Sequence, residues 1–319
     1  MTNENQMNSD YYKKIFWELR IEIPKDKADL VEEFNLKSGA LGFHEILYEE
    51  DKIQNIENAV QYYYFSFEFP IKAYIVMMLA LLKIENCPYI IQETKYENFL
   101  KNMKETFRSF EIAKHFWIVP EWEAEELVPK YSKEDHFVIL RPAFAFGTGL
   151  HETTKLMIEM LTDNKYGVYE NDRILDMGTG SGILSIAALE LNAHEAVGVD
   201  IDTLSVESAN ENLKLNLRAK NFSGKAFFYK DNFSFYHSYY KNRPKPDLFI
   251  SNIFPEAFMA NADILKDILS QTQRVILSGI VEDRAEEFEK WLTQIAPQRK
   301  FTSKNLRGWF VFFSNYEIN

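Results

Sequence analysis

One segment constrains the fold of this chain more than any other, because an apolar run passes through three glycines into a second apolar run. Residues 174–191 read ILDMGTGSGILSIAALEL, with Gly178, Gly180 and Gly182 at alternate positions. The pattern predicts a buried strand, a tight turn and a helix, since glycine adopts backbone conformations that other residues disfavour. In open α/β sheets such a turn binds a ligand at the carboxyl end of its strand, beside the free N–H groups of the helix.

The part of the chain from Phe137 onward alternates strand-like and helix-like segments. Short apolar runs precede longer runs with helical spacing, which predicts a doubly wound α/β sheet. Only a short turn separates the last two strand-like runs, so we expect them to close the sheet as an antiparallel hairpin. The predicted strands are 173–177, 196–201, 226–229, 247–251, 274–278, 298–304 and 309–314, and the predicted helices are 184–191, 205–217, 256–269 and 285–295.

The first third of the chain has a different order of elements. Its patterns predict strand, helix, strand, strand, helix and strand in turn, the order of a ferredoxin-like module. The third strand (59–69, AVQYYYFSFEF) is rich in aromatic residues, and we expect it to offer a surface to a protein partner. We expect residues 98–110 to form a bridging helix and the acidic run 121–126 to be a solvated loop. The six predicted elements are 16–23, 26–36, 41–48, 59–69, 71–84 and 89–94.

Composition narrows the classes of function. The chain is 46% hydrophobic, which excludes a disordered protein, and its formal net charge is −12. This charge disfavours direct binding of duplex nucleic acid and attracts basic partners. Cys87 is the one cysteine, and the six histidines lack the spacing of a zinc site, so we expect no metal. Without a signal peptide or an apolar run of membrane-spanning length, we expect a cytoplasmic monomer with no membrane partner.

The spacing of the glycines selects among nucleotide cofactors. The dinucleotide fingerprint is G-x-G-x-x-G, whereas this chain has G-x-G-x-G, with Ile183 at the position of the third glycine. A nucleoside ligand without a pyrophosphate fits better, and S-adenosylmethionine is the obvious one. Asp200 ends the next apolar run, 22 residues after Gly178, where a carboxylate can accept hydrogen bonds from ribose hydroxyls. Asp202 is better placed to cap the following helix.

Other polar residues follow strands or precede a helix. Asn252 ends the run DLFISN, where its amide could hold the amino-acid part of the cofactor, orient the incoming nucleophile, or only build a turn. Asp231 follows another strand, where it could meet adenine or cap a loop. Thr153 or Thr154 could cap and line the next helix, and His151 by itself would be interpreted as a structural histidine.

Taken together, these segments resemble the PrmA family of S-adenosylmethionine-dependent ribosomal protein L11 methyltransferases. The most specific segment is AFGTGLHETT (145–154), because GxGxG alone is common to many methyltransferases. The order and spacing hold from about Phe116 to the C-terminus, and SGALGFHE (38–45) is a weaker match. The other matching segments are FWIVPEW (116–122), LDMGTGSGILSIAA (175–188), GVDID (198–202), SNI (251–253) and SGIVEDRAEEF (278–288).

The resemblance implies a division of the chain and a set of cofactor contacts. A seven-stranded, Rossmann-like class I methyltransferase domain (114–319) would follow a small ferredoxin-like α+β domain for substrate recognition (1–96) and a bridging segment (97–113). The residues implied to contact S-adenosyl-L-methionine are Thr154, Gly178, Gly180, Asp200 and Asn252.

The activity implied is methylation of lysine ε-amino groups and an N-terminal α-amino group of a basic ribosomal protein, L11 of the large subunit. An acidic enzyme suits such a substrate. Asn252 is the residue assigned to position the nucleophile, and no general base is assigned, because an amine that arrives deprotonated needs none. The chain departs from the family at Arg141-Pro142-Ala143, where Asp-Pro-Gly is usual. The alternative is a methyltransferase for another protein or for a nucleic acid base, since NIFP is similar to the Asn-Pro-Pro-aromatic tetrapeptide of adenine-modifying enzymes.

Overall fold

A computed structural model of the chain describes residues 15–40, 42–45, 58–142, 149 and 151–316. The described residues fall into two units. Those up to Phe107, with Pro142, form the first unit, and Arg108–Arg141 with the residues from Gly149 onward form the second. Over this described part, no helix is both long and apolar enough to cross a bilayer.

The first unit is built on a four-stranded antiparallel sheet in the order β2-β3-β1-β4. Apolar side chains at alternate positions of β1 and β3 pack against the helices Ala28–Lys37 and Ile71–Leu81, with Leu19, Tyr63 and Met78 fully buried. The order of strands and helices agrees with the prediction from the sequence. The elements are β1 (Ile15–Pro24), α1 (Ala28–Lys37), β2 (Gly42–Glu45), β3 (Asn58–Ser66), α2 (Ile71–Leu81), β4 (Tyr89–Lys95) and α3 (Tyr96–Thr106).

The expected partner surface on the aromatic run 59–69 is wrong for the residues that β3 buries, although Phe67, beyond the end of this strand, is 44% exposed. Strand β3 lies between β2 and β1 and ends at Ser66, and its Tyr63, Tyr64 and Phe65 side chains are fully buried. A different element of this unit exposes apolar side chains. On α2, Val76 is 63% exposed and Leu81 is 61% exposed, because this helix carries apolar residues on both its inner and its outer face.

The second unit begins with a small three-stranded sheet, β5-β6-β7, which the sequence patterns did not predict. The predicted helix 98–110 is too long, because Phe110 already pairs with Ile118 in an antiparallel ladder. The acidic run 121–126 forms a helix rather than a loop. Acidic side chains in a first helical turn interact favourably with the helix dipole, and Glu121 also pairs with Arg141 at 2.7 Å. The elements are β5 (Phe110–Ala113), β6 (Phe116–Pro120), α4 (Glu121–Leu127) and β7 (His136–Leu140).

A seven-stranded mixed sheet forms the rest of the second unit, in the order β10-β9-β8-β11-β12-β14-β13. The first five of these strands pair in parallel, and β12-β14-β13 is antiparallel, so the expected closing hairpin is confirmed. Leu175, Val199, Phe249 and Leu277 carry the apolar core on this sheet. The strands are β8 (Arg173–Met177), β9 (Glu195–Asp200), β10 (Lys225–Lys230), β11 (Leu248–Asn252), β12 (Arg274–Val281), β13 (Thr302–Leu306) and β14 (Trp309–Asn315).

The helices of the second unit follow the expected alternation with two differences. The short helix Phe235–Tyr239 was not predicted. The predicted helix 256–269 is two helices that meet at Asn261, whose side chain donates a hydrogen bond to the Ala257 carbonyl and so competes with the helical ladder. The helices are α5 (Glu152–Leu161), α6 (Ile183–Glu190), α7 (Thr203–Ala219), α8 (Phe235–Tyr239), α9 (Pro255–Ala260), α10 (Ala262–Gln271) and α11 (Glu282–Ile295).

A buried ion pair holds the chain that leads into β8 against the start of β12. Arg274 is 1% exposed and binds both carboxylate oxygens of Asp172, at 2.6 and 2.9 Å. The same guanidinium donates to the Gly167 carbonyl and lies over the Tyr169 ring. These contacts satisfy most of the polar groups that burial would otherwise leave without partners.

Two asparagines on α7 bind the edge of β7 that pairs with no other strand of the described residues. The Asn216 amide accepts from the Ile139 N–H at 2.8 Å and donates to its carbonyl at 2.7 Å. The Asn212 amide accepts from the Arg141 N–H and donates to the Ser181 carbonyl in the Gly-rich turn. One helix therefore fixes both the end of β7 and the turn after β8.

Candidate functional site

The Gly-rich turn after β8 needs glycine for reasons internal to the fold. Gly178, Gly180 and Gly182 all have positive φ angles, of 76°, 53° and 78°. A Cβ atom on Gly178 would overlap the Ile253 side chain, and one on Gly182 would crowd Ala209. The turn therefore packs closely against the chain that follows β11 and against α7, and α6 starts directly after it at Ile183.

Asp200 lies at the end of β9 and is bound to the Gly-rich turn. One carboxylate oxygen accepts from the Gly180 N–H at 2.9 Å, and the other accepts from the Asp202 N–H at 3.0 Å. Burial raises the pKa of this carboxyl, although the backbone hydrogen bonds act in the opposite direction. Each carboxylate oxygen has a second acceptor position, so Asp200 can still bind hydroxyl groups of a ligand.

Asp202 and Asp231, also considered from the sequence, both accept hydrogen bonds from nearby backbone N–H groups. Asp202 is the N-cap of α7 and accepts from the Leu204 and Ser205 N–H groups, which confirms the prediction for it. Asp231 is exposed, and its carboxylate accepts from the Asn232 N–H at 2.8 Å. Its own N–H donates to the Asp200 carbonyl. Asp231 therefore forms a turn beside the end of β9.

Asn252 ends β11 and contacts the N-terminus of α5. Its Nδ2 donates to the Thr153 hydroxyl at 3.0 Å. The Thr153 hydroxyl oxygen in turn lies 2.6 Å from Nδ1 of His151. His151 is the N-cap residue of α5, and its ring packs edge-on against Trp309. In the described part of the chain, the buried Asn252 Oδ1 and Thr154 Oγ1 atoms have no hydrogen-bond partner. Two acceptor oxygens thus remain available, one at the end of β11 and one in the first turn of α5.

Topology places these groups at one edge of the sheet. Strands β9 and β11 flank β8 in parallel, so Asp200, the Gly-rich turn and Asn252 all lie at carboxyl ends of adjacent strands. The hydrogen bond between Asn252 and Thr153 brings the start of α5 to the same edge. Most of the preceding AFGTG segment, including Gly147, lies outside the described residues.

Sequence reasoning did not single out Asp176, which lies within β8 just before the turn. It is fully buried, and one carboxylate oxygen accepts from the Thr179 and Ser185 hydroxyls at 2.7 Å each. Burial raises the pKa of Asp176 to about 6. The signal in the sequence is an acidic residue inside the otherwise apolar strand ILDM. Among the residues described, no group of His, Cys, Asp and Glu side chains is arranged to hold a metal ion.

The fold and this polar edge define an α/β protein that can bind a ligand at the carboxyl ends of its parallel strands. A family model described as "Ribosomal protein L11 methyltransferase (PrmA)" matches residues 15–313. The chain belongs to the PrmA family.

Individual relatives agree with this assignment. The ribosomal protein L11 methyltransferase of Bacillus pumilus is 36% identical over 191 residues, which are 60% of this chain and 57% of that relative. The one from Thermoanaerobacter pseudethanolicus is 34% identical over 197 residues, 62% of this chain and 58% of the relative. The matches thus span less than two thirds of these relatives.

A solved structure is also similar to this chain. The crystal structure of ribosomal protein L11 methylase from Lactobacillus delbrueckii subsp. bulgaricus is 27% identical, with a TM-score of 0.51. The match covers 66% of this chain and 100% of that one. The α/β fold with a central mixed sheet is thus shared with the structure of a ribosomal protein L11 methylase.

Proposed function

We propose that the protein transfers methyl groups from S-adenosyl-L-methionine to amino groups of ribosomal protein L11. The observation that carries this proposal is the carboxyl edge of the sheet, where Asp200 and Asn252 end the two strands that flank the Gly-rich turn. Membership of the PrmA family supports the choice of reaction, and the names of the relatives support the choice of substrate.

The residues at this edge fit the proposed cofactor. Asp200 is held by two backbone N–H groups with its remaining acceptor positions available for the two ribose hydroxyls. Thr154 Oγ1 is a buried oxygen without a partner among the described residues, as expected of a group that binds a polar ligand. The turn at Gly178 and Gly180 brings backbone close to the same place, and a nucleoside without a pyrophosphate suits its G-x-G-x-G spacing.

The chemistry asks little of the protein beyond binding and orientation. S-adenosyl-L-methionine supplies an electrophilic methyl group on a sulfonium. A neutral amine of the substrate has a lone pair that attacks and N–H groups that can be held. We assign Asn252 Oδ1 to accept one of these N–H groups, so that the lone pair points along the line of transfer. No group of the chain is assigned as a general base.

The architecture supports a division of labour between the units. We propose that the seven-stranded sheet is the Rossmann-like class I methyltransferase fold, and that the β2-β3-β1-β4 sheet is a ferredoxin-like recognition module. In the proposed division 1–96, 97–113 and 114–319, the middle segment holds all of β5 and all of α3 except its first residue, Tyr96. The exposed apolar residues of α2 are the surface we assign to contact L11. A ribosomal substrate would place this activity in the cytoplasm, and we propose that the protein acts as a monomer.

The test is to incubate the protein with radiolabelled S-adenosylmethionine and purified L11, and in parallel with total ribosomal RNA. We expect label in L11, and none in L11 whose amino groups have been acetylated beforehand. Label in the RNA alone would favour the nucleic acid base methyltransferase instead. If label entered neither L11 nor RNA while the cofactor bound, the proposed substrate would be wrong.

A further inference from the structure

A chain of three hydrogen-bonding side chains joins the start of α5 to the end of β11. The Asn252 amide, the Thr153 hydroxyl and the His151 imidazole contact one another in that order, at 3.0 and 2.6 Å. Thr153 is 1% exposed and His151 is 8% exposed, so water does not compete for these contacts. The function proposed above uses Asn252, but it does not use His151 or Thr153.

The cap of α5 determines the direction of every hydrogen bond in this chain. The Thr153 backbone N–H donates to His151 Nδ1 at 3.1 Å, so that nitrogen carries no proton. The Thr153 hydroxyl must then donate to Nδ1 as well, which leaves only its lone pairs to face Asn252. The Asn252 amide can form a hydrogen bond with those lone pairs only by donating from its NH₂ group. Asn252 Nδ2 is therefore directed at Thr153, and Oδ1 is directed away from it.

The orientation of this amide matters to an amine nucleophile. With Oδ1 toward the substrate, the amide accepts an amine N–H and leaves the nitrogen lone pair able to attack. With the amide reversed, its NH₂ group would donate to that lone pair and block the attack. Rotation of an asparagine amide exchanges two groups of the same size, so packing alone does not select one orientation. A hydrogen-bonding partner of fixed direction does select one.

We propose that Thr153 is a positioning residue for methyl transfer, because its hydroxyl, oriented by His151, holds Asn252 Oδ1 toward the substrate amine. This inference rests on the proposed function. It also separates the roles of two adjacent threonines. Thr153 orients the amide at the end of β11, whereas the Thr154 hydroxyl, which is outside the hydrogen-bond chain, stays available to the cofactor.

The test compares Thr153→Val, which removes the hydroxyl at nearly constant volume, with Thr153→Ser, which keeps it. Thr162→Val is the matched control, since the Thr162 hydroxyl caps the other end of α5 by donating to the Glu159 carbonyl. Steady-state methylation of L11 gives kcat and KM, and calorimetry gives the Kd for S-adenosylmethionine. We expect Thr153→Val to lower kcat by about tenfold or more, as loss of orientation does, with an unchanged cofactor Kd. Thr153→Ser and Thr162→Val should keep kcat near that of the wild-type protein.

Other outcomes overturn the inference. A Thr153→Val protein with full kcat would show that the hydroxyl does not position Asn252, while the proposed function would stand. A loss of cofactor affinity with unchanged kcat at saturation would assign Thr153 to cofactor binding instead. Should Thr153→Val fail to fold, Thr153→Ala against Thr153→Ser makes the same comparison. If the unchanged protein does not methylate L11, the proposed function and this inference fail together.

Discussion

Replacement of Asp176 by asparagine should change how the stability of the protein depends on pH. In the folded chain, burial raises the pKa of Asp176 from 3.8 to about 6. The folded state therefore holds this proton more tightly than the unfolded state, and stability falls as pH rises from the unfolded to the folded pKa. Two pKa units correspond to about 3 kcal/mol. Asparagine does not titrate, and its side-chain oxygen can still accept from Thr179 and Ser185.

The measurement is urea unfolding followed by tryptophan fluorescence at several pH values. Relative to the unchanged protein, the Asp176→Asn variant should gain ~2 kcal/mol in free energy of unfolding between about pH 4.5 and about pH 7.5. Burial of the asparagine NH₂ group has a free-energy cost that does not depend on pH. This cost cancels, because only the change of the unfolding free energy with pH is compared. Asp283→Asn, at an exposed position near the start of α11, controls for the loss of one negative charge. If both variants gave the same pH dependence, the reasoning about buried Asp176 would be refuted.

Three further changes test the site, the core and the partner surface. Asp200→Ala should weaken S-adenosylmethionine binding by about tenfold or more in calorimetry, because each lost hydrogen bond to a charged group costs about 1.5–3 kcal/mol. Asp231→Ala should leave this affinity unchanged. Equal affinities of the two variants would contradict the ribose assignment. Arg274→Met should lower the free energy of unfolding by about 3–5 kcal/mol in urea titration, since the Asp172 carboxylate would stay buried without the Arg274 guanidinium. A loss below about 1 kcal/mol would refute the importance of this ion pair. Val76→Asn removes apolar surface without adding charge, so it should leave cofactor binding unchanged and raise the KM for L11. An unchanged KM would remove α2 from the recognition surface.

The regular elements of the second unit could be predicted because their patterns are local. The central parallel strands are buried on both faces and are therefore short apolar runs, as at Arg173–Met177 and Leu248–Asn252. The predictions failed where partners distant in sequence decide the structure. Phe110 extends because Ile118 pairs with it, and Glu121 is helical in a segment where Arg141 neutralises it.

Burial was harder to predict than secondary structure. The aromatic strand β3 and the apolar helix α2 look equally hydrophobic in the sequence, yet Tyr64 is buried and Val76 is exposed. Strand β3 lies between two other strands, whereas α2 packs against the core with one face only. At the site, glycine spacing and residues at strand ends indicated Asp200 and Asn252. The link from Asn252 to Thr153 joins residues 99 positions apart, and no spacing rule reaches that far.

The side chains of α7 have a consequence for how the protein behaves at high concentration. An unpaired strand edge offers N–H and C=O groups to other molecules, and it is a common starting point of aggregation by strand addition. On β7 the N–H and C=O of Ile139 are already bound by Asn216, and the N–H of Arg141 just beyond the strand is bound by Asn212, so these groups are closed to a strand from a second molecule while α7 is docked. The helix thus protects the protein from self-association at this strand.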